Sequence, residues 1–513
     1  MVFYCNLKVA ERATFFMNKF YITTPIFYVN DKPHIGHAFT LVLADVTARY
    51  HRSLGEETFL LTGTDEHGAK IARAAERQGE EPQQFTDRVS ATFSELAKIL
   101  NVSNNEFIRT TDQEIHWPGV FKIWEAIKAS GDIYESEYEG LYCVGHEAFM
   151  KKSDLQDGVC PDHQTKPEKI KEKNYFFKLS KYKKRIKEAY VSGAIMVKPA
   201  SRANEVLAML EDSEDVSFSR PRKDLEWGIA VPGDDAQTIY VWADALTNYL
   251  SAMGYGRNED WQKWWPADTH VIGKDILRFH GIIWPAMLLS AGLELPKSLL
   301  VHGFITVENQ KMSKTIGNVI DPVELVKKYG VDPVRYYLLR EIPSTEDGDF
   351  SYKKLEDRYN GDLANNLGNL VSRVAKLIET KLEGELNFDG KFFDKEVRQK
   401  IEEAEQKYRR AVEEFRLHEA LTHIWDLFGF ANAHIDSHKP WEADQEGSHL
   451  LRTITSIVAI IVSGSRWLEP FLPETVEKIS NTFGNNLRAY DVLRLAGQKF
   501  IVTKIEPLFP RLK

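Results

Sequence analysis

At 513 residues, with 43% hydrophobic and 27% charged side chains, the chain has ordinary soluble composition and enough length for two or three domains with large cores. Its net charge of −9 argues against a uniformly basic, polyanion-covering surface and leaves room only for a local basic face. Three cysteines are too few for a disulfide framework and suit a reducing compartment, so the cytoplasm is the expected location.

Met1–Phe16 reads as an extension. Met17-Asn18-Lys19-Phe20-Tyr21-Ile22 looks like a second start, while Glu11 and the lack of an A-x-A-like cleavage site speak against a signal peptide, so residues 1–19 are expected to be a mis-called start or a disordered segment. Phe20–Thr24, rich in β-branched and aromatic residues, predicts a strand; the breaker-free stretch through Tyr50 predicts a helix beginning near Pro33; Glu57–Thr62 predicts a second strand. Strand, helix and strand make the mononucleotide-binding half of a doubly wound sheet. His34-Ile35-Gly36-His37 then falls at the helix N-terminus, where unpaired N–H groups and the dipole attract phosphate and two imidazoles three positions apart share one side of the first turn. Gly36 leaves room for a nucleotide to lie against the backbone. Taken alone, the tetrapeptide is equally well two surface histidines on a capped helix. Gly63-Thr64-Asp65-Glu66-His67-Gly68-Ala69-Lys70 misses the P-loop pattern, because Ala69 stands where lysine is needed.

Cys143-Val144-Gly145-His146 and Cys160-Pro161-Asp162-His163 are two Cys-x-x-His pairs in turn-forming sequence, the arrangement by which small knuckles offer zinc four tetrahedral N/S ligands. The alternative is two half-buried cysteines with incidental histidines. With all four positions filled, such an ion would be structural. After the apolar run Leu299–Ile305, Lys311-Met312-Ser313-Lys314-Thr315 puts two ammonium groups on a loop that can close over a triphosphate. A lysine pair alone is usually a solvated face; paired with the upstream histidines it points to ATP. From about Tyr352 the apolar spacing turns helical, with Asp362–Glu379, Glu396–Ile435 and His449–Trp467 predicting an α-helical bundle. The longest apolar run there, Ile457–Val462, falls short of the ~20 residues that span a membrane and reads as core helix.

With its HIGH and KMSKS-type signatures the chain resembles the class I aminoacyl-tRNA synthetases, and within that class the methionyl-tRNA synthetases of bacterial type. The likeness runs from about Phe20 to the C-terminal helices. It is carried by Tyr21–Asn30, Thr62–Gly68, Trp227–Pro232, Tyr240–Leu246 and Gly273–His280. Thr315 replaces the last serine of the lysine motif and keeps its hydroxyl; Ala243 and Leu246 lie where relatives often differ.

The resemblance implies an α/β architecture: a split Rossmann-like catalytic domain at 20–115 and 225–345, an inserted zinc-knuckle connective domain at 116–224, and an α-helical anticodon-binding bundle at 346–513. It implies Mg-ATP, L-methionine and a tRNA(Met) with a CAU anticodon as partners. ATP contacts would come from His34, Gly36, His37, Lys311, Ser313 and Lys314, with His34, His37, Lys311 and Lys314 catalytic. Ile26, Tyr28, Asp65, Trp242, Ala245, Leu246, Tyr249, Phe279 and His280 match the methionine-pocket positions. Their chemistry agrees, since aromatic and aliphatic walls suit a thioether and a carboxylate can hold the α-ammonium. Asn369 and Arg373, four apart on a helix, and Trp441 match the anticodon-reading positions. Cys143, His146, Cys160 and His163 would hold one zinc, although relatives more often have cysteine where His146 stands. A leucine, valine or isoleucine synthetase would need a larger editing insertion than 116–224. A small-molecule nucleotidyltransferase would lack the helical domain, and a non-catalytic tRNA-binding paralogue would not need the intact histidines and lysines. A monomer is expected.

Overall fold

The computed structural model describes residues 18–143, 148–150, 152–161, 164–312, 317–442, 447–487, 495–503 and 505–512. Residues 1–17 of the expected N-terminal extension, His146, His163, Ser313, Lys314 and Thr315 lie outside the described residues, while Lys19, expected in that extension, already belongs to the first strand.

The catalytic half is built on a parallel sheet. Its strands are β1 (Lys19–Tyr28), β2 (Glu57–Asp65), β3 (Glu106–Arg109), β4 (Met196–Lys198), β5 (Thr269–Gly273) and β6 (Ser298–His302), in spatial order β3-β2-β1-β5-β6-β4. Near-continuous burial of β1, β2, β5 and β6 is what a parallel sheet covered on both faces requires. Gly63 on β2 permits the close approach of β3, since a Cβ there would meet the Ile108 carbonyl oxygen at 2.0 Å. The chain leaves β1 toward β2 on one side and returns to β5 on the other. The crevice at the carboxyl ends of β1 and β5 is therefore the topological switch point, where such sheets bind ligands. β4 lies inside the segment expected as the insert, yet it adds an edge strand to the large sheet.

The rest of that segment contributes an antiparallel sheet of Ala148–Met150, Ile133–Cys143, Glu168–Phe177 and Val216–Ser217. Past β6, Ile305–Val307 pairs with Gln310–Lys311 through a turn at Glu308 and Asn309, both at positive φ, so Lys311 stands on a hairpin strand rather than in the loop itself.

Helix α1 (Ile35–Ser53) packs behind β1, and α2 (Val331–Glu341) leads toward the bundle. The bundle comprises α3 (Asn369–Lys381), α4 (Lys395–Glu413), α5 (Leu417–His438) and α6 (Ser448–Leu468). The stretch read as one run from Glu396 to Ile435 is two helices, parted where Phe415 turns left-handed at φ 57°. α6 is 21 residues long and holds an 18-residue stretch with a mean hydropathy of 1.3, enough by length and composition to cross a membrane, but 78% of that stretch is buried within the protein; it is the bundle's core helix. A small sheet of Glu385–Asn387 with Lys499–Ile501, which helical spacing alone did not indicate, pins the C-terminal segment to the bundle.

One apolar core runs without a break from α1 through α2 into the bundle. Within it lies Arg335 of α2, fully buried, paired with Asp45 of α1 at 2.7 Å and donating to the carbonyls of Leu100, Pro470 and Phe471 at 2.8–3.0 Å. Burial would raise the Asp45 carboxyl, but Arg335 and Arg49 hold it below its ordinary range. A buried charge pair is tolerable only when its remaining hydrogen-bonding capacity is filled, as it is here, so the histidine-bearing helix and the bundle are fixed to one another.

Candidate active site

The two histidines of the tetrapeptide form a cap. His34 is the N-cap residue of α1, extended at φ −127°, and its Nδ1 accepts the Gly36 N–H at 3.1 Å, while His37 Nδ1 accepts the His34 N–H at 3.0 Å. Because backbone N–H groups only donate, both Nδ1 atoms are unprotonated, and each neutral ring carries its proton on Nε2. Burial lowers the pKa of His34, and burial followed by the His34 and His302 rings lowers that of His37 further. Both are therefore neutral Nε2–H donors at neutral pH. The rings stack at 3.9 Å, and Phe27 and Phe93 each meet the His37 ring edge-on at 5.1 Å. Gly36 serves this arrangement directly: a Cβ would meet the His34 ring at 2.9 Å, so the glycine makes room first for the imidazole.

The lysine segment is brought to the same place. The Ile35 N–H, one of the unpaired donors of the first turn of α1, binds the Ile320 carbonyl at 3.1 Å, and the hairpin ending at Lys311 lies on the other side of the loop. The segment carrying Lys314 is thus anchored beside the histidines at its Ile320 end and held at its other end by the hairpin.

The residues expected around methionine gather at the same sheet edge. Tyr28 and Asp65 are cross-strand partners at the ends of β1 and β2, and Ile26 faces Gly63. Trp242, in a short helix Val241–Ala245, stacks on Phe279 with centroids 3.4 Å apart and planes 12° off parallel. Phe279 and His280 open a wide π-type turn, Phe279–Ile283, after β5; such turns occur often at functional sites. His280 Nδ1 donates to the Ile276 carbonyl at 3.1 Å, so its Nε2 accepts from the Tyr249 hydroxyl at 2.7 Å. Burial holds His280 down to about 4, and burial first, then Asp65, pushes the Tyr249 phenol up against an opposing Asn248 contact. The hydroxyl and imidazole are both neutral, as a thioether pocket requires. Ala245 and Leu246 are buried in the wall behind them.

Three polar contacts support this wall that sequence reasoning did not single out. Asp244 is buried between His67 at 2.7 Å and His116 at 2.8 Å, and His116 also reaches Ser251 at 2.8 Å. Burial would raise the Asp244 carboxyl, but the two histidines hold it low. Glu66, fully buried, is gripped by both arms of Arg109 at 2.7 and 2.8 Å, and its carbonyl accepts the Trp227 indole N–H at 2.6 Å. His270 on β5 binds Thr23 at 2.8 Å and stacks toward Tyr249 at 4.4 Å. Asp65-Glu66-His67-Gly68 was visible as one block, whereas nothing in the local sequence marked His116 or Arg109.

In the bundle, Asn369 begins α3, exposed, and Arg373 follows one turn later with its guanidinium 5.8 Å over the Trp441 ring and paired with Asp436 at 2.5 Å. Trp441 is 42% exposed. Of the expected metal ligands, Cys143 ends its strand and Cys160 heads a tight turn in which Gln164 N–H binds the Cys160 carbonyl at 2.8 Å; both are buried, and neither is in a disulfide. Among the described residues no three histidine, cysteine or acidic side chains cluster as metal ligands.

Residues 20–168 and 150–375 match the family described as class I tRNA synthetases (M), and residues 394–496 match the anticodon-binding domain of tRNA ligases. The chain belongs to the methionine class I tRNA synthetases. This synthetase is 43% identical to the methionine–tRNA ligase of Thermotoga maritima over 90% of its own length and 74% of that protein's. It is 40% identical to that of Brucella suis over 96% and 98% of the two chains. Its fold superposes on Mycobacterium tuberculosis methionyl-tRNA synthetase in complex with methionyl-adenylate with a TM-score of 0.91 at 36% identity, covering 96% of this synthetase and all of that chain. The class I Rossmann-like catalytic domain and a helical anticodon-binding domain are thereby established.

Proposed function

We propose that this methionine–tRNA ligase works through the crevice at the β1/β5 switch point. A methionine carboxylate oxygen attacks the α-phosphorus of Mg-ATP, forming the mixed anhydride methionyl-adenylate while pyrophosphate leaves. The terminal ribose 2′-hydroxyl of tRNA then attacks the methionyl carbonyl and AMP leaves. Such chemistry asks the protein chiefly for positioning and charge stabilisation. The observation that carries this reading is the pair of neutral Nε2–H donors on His34 and His37, with the lysine segment tied at Ile320 beside them. The histidines would hold phosphate oxygens, and Lys311 and Lys314 would balance the charge gathering toward pyrophosphate. Magnesium, supplied with ATP, would neutralise the remaining phosphate charge.

Methionine would sit with its ammonium at Asp65 and its thioether against Ile26, Tyr28, Trp242, Tyr249, Phe279 and His280. Trp441 would stack on an anticodon base while Asn369 and Arg373 address polar base edges. Cys143 and Cys160, two buried soft thiols at a strand end and a tight turn, fit a structural zinc ion, with His146 and His163 completing the set; the ion would brace the tip of the inserted sheet. We infer further that the protein acts as a monomer in the cytoplasm, a location that a chain with only three cysteines supports.

Pyrophosphate exchange measured with each amino acid in turn tests the substrate: methionine should support it, and comparable exchange with leucine, valine or isoleucine would overturn the pocket assignment. Trp441→Ala should leave that exchange near wild type and lower aminoacylation of a CAU-anticodon tRNA by roughly one to two orders of magnitude, following a stacking contact of about 1–3 kcal/mol. Equal loss of both activities would instead make Trp441 a residue that holds the bundle together.

A further inference from the structure

Where α5 meets α6, three imidazoles form a column. His434 and His438, one turn apart on α5, stack with ring centroids 3.9 Å apart and planes 25° off parallel, and His449 in the first turn of α6 continues the stack at 5.6 Å with the same tilt. The column rises out of the core: His434 is buried against Phe430, His438 is half-buried, and His449 is exposed. Its ring edges are engaged by backbone. His438 Nδ1 donates to the His434 carbonyl at 2.9 Å, and His449 Nε2 donates to the His438 carbonyl at 2.9 Å. These bonds fix the ring orientations and leave ring faces, rather than these edges, to meet a partner.

A column of this kind is a poor way to fill a helix junction. Aliphatic side chains would fill the same space without polar atoms to desolvate, and three imidazoles cannot all be protonated at such spacing without repulsion. It is a good way to present a rigid flat face to solvent. The carbonyl that holds His449 belongs to His438, three residues before Trp441, whose own ring is exposed and lies beneath the Arg373 guanidinium. Two aromatic faces are thus offered at the junction of α5 and α6, Trp441 beside a cation and His449 tied to the His438 carbonyl, which is the chemistry that receives unstacked bases of single-stranded RNA.

We propose that the His434–His438–His449 column is a second base-stacking platform, on which a nucleotide of the RNA loop engaged by Trp441 lies against the exposed face of His449. The proposal rests on the anticodon reading of Trp441. Because every base has a π face, the contact adds affinity without reading sequence. It therefore serves a nucleotide outside the anticodon triplet and tolerates any base there.

The test uses the whole enzyme and CAU-anticodon tRNA carrying 2-aminopurine at each anticodon-loop position in turn. Wild type should quench one position outside the triplet, His449→Phe should retain that quenching, and His449→Ala should abolish it. In aminoacylation, His449→Ala should raise the tRNA KM about fivefold or more, as expected from losing one stacked base, and His449→Phe should restore it to within twofold. Methionine-dependent pyrophosphate exchange and the thermal midpoint should stay unchanged in both. A His449→Phe variant as impaired as His449→Ala would show that the nitrogen rather than the ring face matters, and would overturn the platform. So would an unchanged KM and unchanged quenching in His449→Ala. Trp441→Ala run in parallel separates the two claims: if it impairs charging while His449→Ala does not, only the column fails, and if neither does, the anticodon reading fails with it.

Discussion

His34 performs two separable tasks, and their separation is the sharpest test of the site. Its Nδ1 caps α1 by accepting the Gly36 N–H, and its Nε2–H is the group assigned to phosphate. Asparagine is among the best N-cap residues and can keep the first task, but it is too short to reach where Nε2 stands. His34→Asn should therefore retain helix stability to within about 1 kcal/mol. It should lose one aimed donor, worth about 2.7–4 kcal/mol of transition-state stabilisation, so adenylation should slow roughly 10²–10³-fold. Glutamine makes the opposite exchange. Its amide N–H reaches as far as Nε2, while its cap is weak, so His34→Gln should recover much of the rate and lose about 0.5–2 kcal/mol of stability. Single-turnover formation of methionyl-adenylate reports the first quantity and urea unfolding the second. If His34→Asn formed adenylate within a few-fold of the wild-type rate, the imidazole would be a cap and nothing more, and the assignment of Nε2 to phosphate would fall.

Lys314→Ala should lower adenylation by roughly 10²–10³ with methionine affinity nearly unchanged; a raised methionine KM at normal kcat would contradict its role, and Lys311→Ala should be similar or milder. The purified protein should carry about one zinc per chain, lost in Cys143→Ser or Cys160→Ser, because a four-ligand site tolerates loss of a thiolate badly; metal analysis finding none would reject the knuckle. Asp332, in the first turn of α2, is buried and its carboxyl is raised to about 6 by burial, against opposing contacts from Thr475 and Arg335. A carboxyl raised in the fold contributes stability below its unfolded pKa, near 3.9, and that contribution is lost as pH rises through about 6. Asp332→Asn should therefore gain stability relative to wild type by as much as about 3 kcal/mol between pH 4 and pH 7. A difference between the two proteins that stays flat across that range in urea unfolding would show Asp332 to be solvated.

What the sequence determined by itself was local. The β-branched run of β1, the breaker-free stretch Leu41–Tyr50 and the histidine at the junction were enough to place a strand, a helix and its N-terminus, because propensity and capping act within one or two turns. The bundle was legible for the same reason, in the 3.6-residue spacing of apolar side chains, although the turn at Phe415 depends on backbone conformation that spacing does not encode. The methionine wall was legible only through family resemblance, since tryptophan and phenylalanine in isolation read as core. Tertiary structure decided what meets what. Asp244 lies 177 residues from His67 and 128 from His116, yet it joins both in a single buried contact. Topology brings the β1 and β5 ends together, and the Ile35 N–H finds the Ile320 carbonyl only because the sheet places α1 beside the lysine segment. The histidine column is divided in the same way: His434 and His438 stand one turn apart on α5, a short-range pattern, while His449 joins them only because α6 packs there. Such pairings satisfy buried polar groups across distant segments, a requirement set by the folded interior rather than by any stretch of chain.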